Sequence, residues 1–187
     1  MTQIAIVYHS GYGHTAKVAQ FVQQGVDSVA GVKSHLISVT DVNDATWALL
    51  NEVDGIIFGS PTYMGGPSGP FKVWADASSK AWFTQAWKDK VAAGFTNSMS
   101  MSGDKLSTLQ YFVTLAMQQG MIWVGSDIPP TQKPGDVNEL NRLGSSIGVM
   151  TQSDNAPAEV TPPAADLETA RRLGARVAAV TQKLKSH

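Results

Sequence analysis

Short, almost uninterrupted apolar runs alternate with helix-length amphipathic stretches along this chain, and no other feature narrows its fold as much. Ile4-Ala5-Ile6-Val7, Gly55-Ile56-Ile57-Phe58 and Met121-Ile122-Trp123-Val124 are strand-length and have no polar face. Strands of that kind are covered by helices on both sides, as in parallel sheets. The spacing predicts strand 3–8, helix 14–29, strand 33–39, helix 43–51, strand 53–59, helix 69–80, strand 90–96, helix 104–119, strand 121–125 and helix 164–184. Right-handed crossovers then give an α/β three-layer sandwich around a five-stranded parallel sheet, expected in the order 2-1-3-4-5. With 187 residues, 43% of them hydrophobic, the chain can bury one full core, so 1–187 is read as one domain.

In such a sheet ligands bind beyond the strand C-termini, where the strand order reverses. The loops after the first, third and fourth strands should meet there. The first is Tyr8-His9-Ser10-Gly11-Tyr12-Gly13-His14-Thr15. Its backbone N–H groups and the Ser10 and Thr15 hydroxyls can wrap a phosphate at a helix N-terminus, where the helix dipole favours the anion without a Lys or Arg. The loop matches neither the Walker pattern nor Gly-x-Gly-x-x-Gly. It reads as a cradle for a terminal monophosphate, with a plain tight turn as the alternative. The second loop, 59–70, is too rich in Gly and Pro for an ordinary connection of ~2–6 residues. The third, 96–105, is polar. The segment 126–163 is long, polar and Pro-rich, and is expected to be an insertion near the fifth strand.

Composition removes several chemistries. Cysteine is absent, which excludes disulfides, thiolate nucleophiles and Cys-ligated metals. Basic and acidic residues number 14 and 15, a net charge of -1, so no global field attracts nucleic acid or an anionic membrane, and neither is an expected partner. No basic leader with a long apolar core precedes the first strand, and no apolar run nears the ~20 residues of a membrane span. A cytoplasmic location is the simplest expectation. His9, His14, His35 and His187 make no ligand pair, so no metal is expected. No Ser-His-Asp set or carboxylate pair supports hydrolysis, and without cysteine any oxidoreduction would need a bound cofactor.

Three stretches together carry a family resemblance: Tyr8 to Thr15, Phe58-Gly59-Ser60-Pro61-Thr62-Tyr63-Met64-Gly65-Gly66, and Leu115-Ala116-Met117-Gln118-Gln119-Gly120-Met121. Over nearly its whole length the chain resembles the flavodoxin-like NAD(P)H:quinone oxidoreductases of the tryptophan-repressor-binding-protein type. The resemblance implies a flavodoxin fold, non-covalent FMN, two-electron transfer from NAD(P)H to a quinone or other small flat acceptor, and a homodimer or homotetramer. By position, Ser10, Gly11, Tyr12, Gly13, His14 and Thr15 would hold the FMN phosphate, with Tyr12 also where the nicotinamide approaches. Pro61, Thr62, Tyr63, Met64 and Gly65 would line the isoalloxazine. Asn97, Ser98, Met99, Ser100, Met101 and Ser102 match the second ring-contacting loop. Trp82 matches an aromatic at the quinone end, and reads equally as a half-buried helix-end tryptophan.

The chain departs from the family in three places. The 97–102 loop has fewer Gly and Thr residues, Gln119 replaces a frequent flavin-contacting His, and Val39 to Val53 lacks an insertion found in some relatives. No catalytic side chain is expected, since FMN carries the chemistry. His9 reads as a hydrogen-bonded, half-buried side chain, and Asp104 with Lys105 as a helix cap and first-turn pair, for which the resemblance leaves a part in guiding the nicotinamide open. A flavodoxin-type electron carrier and a non-catalytic FMN-binding protein are the competing readings.

Overall fold

The computed structural model describes residues 1–133 and 136–186. Pro134 and Gly135, inside the 126–163 segment, and His187 lie outside the described residues. Along the chain run β1 (Thr2–Tyr8), α1 (His14–Asp27), β2 (Val32–Ser38), a 3-10 turn (Val39–Asp41), α2 (Asp44–Glu52), β3 (Gly55–Tyr63), β4 (Gly66–Pro67) and α3 (Gly69–Ala77). Then follow α4 (Ser79–Thr84), β5 (Val91–Ser98), α5 (Lys105–Gln118), β6 (Ile122–Trp123), β7 (Val149–Gln152) and α6 (Ala164–Lys185).

The sheet has seven strands rather than the five expected from sequence. Its path is β2-β1-β3-β5-β6, parallel throughout; β4 pairs β3 antiparallel and β7 pairs β5 in parallel. The extra strands have two causes. β3 does not stop at Gly59 but runs on to Tyr63 and folds back as β4. Met64 and Gly65, at φ 46 and 80, supply the two left-handed residues of a tight hairpin turn. The expected fifth strand is also split: β6 pairs Val91 and Ala92 at the start of β5, and β7 takes up the same edge from Phe95 to Ser98. The expected helix 69–80 is likewise broken into α3 and α4 at Ser78.

The period-two alternation of the strands feeds two cores. Ile4, Ile6, Ile57, Ala93 and Phe95 pack on α1 and α6, while Ala5, Val7, Ile56, Phe58 and Ala92 pack on α2, α3, α4 and α5. Each fully buried Ile or Phe contributes roughly 1.5–3 kcal/mol. Helices α1 and α6 meet at backbone distance: a Cβ on Gly174 would lie 2.1 Å from the Val22 carbonyl oxygen, and one on Gly25 would strike that of Arg171. The two helices are therefore packed backbone against backbone, and α1 delivers its N-terminus to the rim where β1, β3 and β5 end.

Candidate functional site

The first wall of the rim is local. Gly13 caps α1 at φ 89 and ψ -26, a left-handed conformation that a side chain disfavours. Ser10 Oγ accepts the Gly13 N–H at 3.1 Å, closing the loop on itself. The first turn of α1 carries no acidic residue, and residues 8–15 hold no Lys or Arg. Amide donors at a helix N-terminus, free of competing carboxylates, suit a phosphate dianion. The loop is crowded from above, since a Cβ on Gly11 would lie 2.6 Å from the Tyr63 hydroxyl. Tyr12 and Tyr63 meet edge-on, centroids 6.4 Å apart at 71°. Burial, and secondarily Tyr12, push the Tyr63 phenol up from its usual value.

The second wall is the β3–β4 hairpin. Thr62 Oγ1 bonds the hydroxyls of Thr96 and Thr108, both at 2.8 Å, which ties the hairpin to β5 and α5. His9 Nδ1 bonds Ser68 Oγ at 2.8 Å, and Ser68 in turn contacts Ser60 Oγ at 3.1 Å. His9 thus joins the first wall to the second, and burial lowers its imidazole below the usual pKa. Met64 at the hairpin tip is fully exposed.

The third wall comes from distant parts of the chain. The buried Asn97 amide donates to Ser153 Oγ at 2.7 Å and accepts from Thr151 Oγ1 at 2.8 Å, so it locks β5 to β7. Arg142 and Asp166, 4% and 2% exposed, form a bidentate pair at 2.7 and 3.0 Å. Arg142 also donates to Gln152 Oε1, and Gln152 Nε2 donates to the Met99 carbonyl, so the pair carries through to the 97–102 loop. Lys105 is wholly buried, with Nζ donating to the carbonyls of Ser100 and Met101. Burial, partly offset by Asp166 and reinforced by Arg142, lowers its pKa to about 7. Asp104 precedes α5 but its side chain makes no cap bond, contrary to the sequence expectation, because its own backbone is already helical. Past β7, residues 153–157 return along the cleft. They are strapped to α1 by His14 Nε2 with the Ala156 carbonyl (2.7 Å) and by Lys17 Nζ to the Glu159 carbonyl (2.9 Å).

These walls enclose a cleft of about 1070 Å³. Of the residues singled out in the sequence, the structure brings Ser10, Tyr12, His14, Thr15, Pro61 to Gly65, Asn97 to Ser100 and Ser102 to its lining, with Gly11 and Gly13 in the supporting loop. Met101 is not on the lining. Gln119 and Trp82 lie at the opposite rim. α5 starts at the cleft and runs 14 residues away from it, about 21 Å, so Gln119 ends beside the start of β5, donating to the Ser78 hydroxyl at 2.9 Å. Trp82 sits on α4 beyond Ser78 and lines a separate shallow pocket with Phe83. Asp104 and Lys105, at the end of the third loop, also line the cleft, and the wall that sequence reasoning missed is Ser153 to Pro157. Their one signal was the short apolar run Val149-Met150 ahead of a polar turn.

Residues 9–132 match the model of the family described as NADPH-dependent FMN reductase. The chain belongs to that family. It is an oxidoreductase of flavodoxin-like α/β fold, with FMN as its flavin and NAD(P)H as electron donor. It is 40% identical over 185 residues to flavodoxin FldP of Pseudomonas aeruginosa strain UCBPP-PA14, covering 98% of this chain and 99% of that protein. It is 30% identical over 206 residues to NAD(P)H dehydrogenase (quinone) of Trichlorobacter lovleyi, covering 98% and 99%. The crystal structure of a WrbA-like flavodoxin from Agrobacterium tumefaciens superposes with a TM-score of 0.77 at 44% identity, covering 98% and 99%. The residues fit the flavin: an uncharged donor loop for the phosphate, and a tyrosine-walled cleft for the ring. Among the described residues, no group of three or more His, Asp or Glu could hold a metal, and no helix is long and apolar enough to cross a membrane.

Proposed function

We propose that this protein passes two electrons from NAD(P)H to a quinone-type acceptor, using FMN held at the rim of β1, β3 and β5. The observation that carries this reading is one cleft combining a cation-free phosphate cradle with tyrosine and methionine walls. At about 1070 Å³ it reaches the upper end of the ~300–1,000 Å³ common for small-molecule sites, room for a second flat molecule beside the flavin. Ser10, Thr15 and the amides of 11–14 take the phosphate. Pro61 to Gly65, Asn97 to Ser100 and Ser102 flank the ring, and Tyr12 with Tyr63 guards the face that a donor or acceptor would use. FMN supplies the hydride chemistry; the chain's part is to bind, orient and exclude water. His14 acts through its backbone N–H, since its ring is tied to Ala156.

The chain is read as one domain with 126–163 as its insertion, working as a homodimer or homotetramer. Trp82 and Phe83, 46% and 83% exposed at the far rim, suit a contact with a second copy, where Trp82 could reach that copy's acceptor. The name of the Pseudomonas relative favours a second reading, an electron carrier. The near-neutral net charge of -1 argues against it, because carriers docking on protein partners rely on charged faces. Benzoquinone reduction by NAD(P)H with FMN-loaded protein decides: turnover well above free FMN is expected. No excess turnover, together with a reductive titration in two resolved one-electron stages, would transfer the assignment to the carrier.

A further inference from the structure

Residues 154–160 form a flap beside the N-terminus of α1. The residues at its base, Ser153 and Thr161, are buried, and the base is closed because the Asp154 N–H donates to Thr161 Oγ1 at 3.2 Å. Within the flap the Val160 N–H turns back onto the Pro157 carbonyl at 2.9 Å. A short loop whose ends meet in this way hinges at its base rather than along its length. Asp154, Asn155, Pro157, Glu159 and Val160 are exposed, so little apolar burial holds it down. Among the described residues, two hydrogen bonds tie it to the rest of the chain beyond its base: His14 Nε2 to the Ala156 carbonyl and Lys17 Nζ to the Glu159 carbonyl. A carbonyl only accepts, so His14 Nε2 carries the proton of its bond. The two donors stand three residues apart, on one face of α1. Between them the flap lies on the helix cap itself, where a Cβ on Gly13 would be 3.2 Å from the Ala158 Cβ. Ser153 to Pro157 share the cleft lining with Ser10, Tyr12, His14 and Thr15, so the flap is a wall of the same cleft as the 9–15 loop.

We infer that the 154–160 flap is the gate through which flavin enters and leaves, with the His14 and Lys17 side chains as positioning residues that latch it shut. This rests on the reading above, in which the 9–15 loop takes the FMN phosphate. One net hydrogen bond shifts an equilibrium by roughly two- to tenfold, so two such latches keep the flap closed while leaving an open minority for passage. Both latches run between α1 and the flap backbone and need no ligand. They therefore hold the empty and the loaded cleft alike, and weakening them speeds entry and exit together while affinity barely moves.

The test follows FMN fluorescence without turnover: stopped-flow mixing of the flavin-free protein with FMN gives the entry rate, and rapid dilution of the loaded protein gives the exit rate. His14→Ala and Lys17→Met should each raise both rates about threefold and together about tenfold, with Kd held within about twofold. Both side chains are part-exposed, so their removal leaves the core in place. His14→Gln keeps an N–H donor and should return both rates towards those of the unaltered protein. Lys17→Met also separates gating from attraction by sign, since loss of a cation that draws in the phosphate would slow entry. Slower entry in that variant, faster exit with entry unchanged, or rates unmoved in the double variant each overturn the inference. The reductase reading survives any of these, because NAD(P)H-driven benzoquinone reduction by the loaded protein is measured apart from them. FMN that does not bind the unaltered protein removes that reading and the gate with it.

Discussion

The cradle side of the cleft, residues 9–15, takes its turn from contacts close in sequence, Gly13 to Ser10 and Lys17 to Gly13, and is then pinned from outside by Ser68 on His9 and Ala156 on His14. The ring side at 97–102 hangs on Thr151, Gln152 and Ser153, more than fifty residues away, and behind them on the buried Arg142–Asp166 pair. The difference teaches that the shape of the 9–15 turn can be set by one strand, one turn and one helix. The 97–102 loop needs the assembled sheet edge. There β7 takes up the ladder that β6 leaves unfinished, and the Asn97 and Gln152 side chains reinforce it.

The largest break in this comparison should come from Arg142→Ala. Removing the guanidinium leaves the Asp166 carboxylate buried and unpaired, an effect of about 3–5 kcal/mol. Urea denaturation should register the loss, and limited proteolysis should find the 99–103 loop opened while the cradle stays protected. Gly13→Val strikes the other side. It forces a β-branched residue to φ 89 with its Cβ about 3.2 Å from that of Ala158, a strain of roughly 1–3 kcal/mol. FMN affinity, followed by fluorescence quenching, should collapse while proteolysis at 99–103 stays unchanged.

Lys105→Met gives the smallest effect and sharpens the picture by its pH dependence. Burial holds the Lys105 ammonium down to about 7 from its ordinary 10.5. Between those values the unfolded chain binds a proton that the folded one lacks, so folding gains stability from this residue as pH rises above about 7. Below that, the native protein carries a charge in a buried site. The Met variant should therefore melt highest relative to the unaltered protein below pH 7, and lose that advantage by pH 10. A difference constant across this range would mean that Lys105 does not titrate there.

The same contrast governs what could be read from sequence. β1, β3, β5 and α1 were legible because their apolar runs are continuous and the Ser-Gly-Tyr-Gly-His-Thr turn is local chemistry. The extension of β3 to Tyr63 was hidden, since Gly and Pro at 59–67 resemble loop while the backbone pairs on both sides. β7 escaped because four residues at a sheet edge carry almost no periodic signal. Arg142, Gln152 and Asp166 look like ordinary surface residues until the fold joins them. Gln119 and Trp82 show the converse: family position points them at the ring, and helix length carries them to the far rim of their own chain.

The meshed glycines of α1 and α6, together with Asp166 near the start of α6, have a consequence for synthesis. A growing chain can shape its 9–15 turn as soon as β1 and α1 have emerged, yet the Arg142 guanidinium behind the 97–102 loop has no counter-charge until residue 166 is available. A ribosome stalled before that point would hold back the one carboxylate that this buried cation needs.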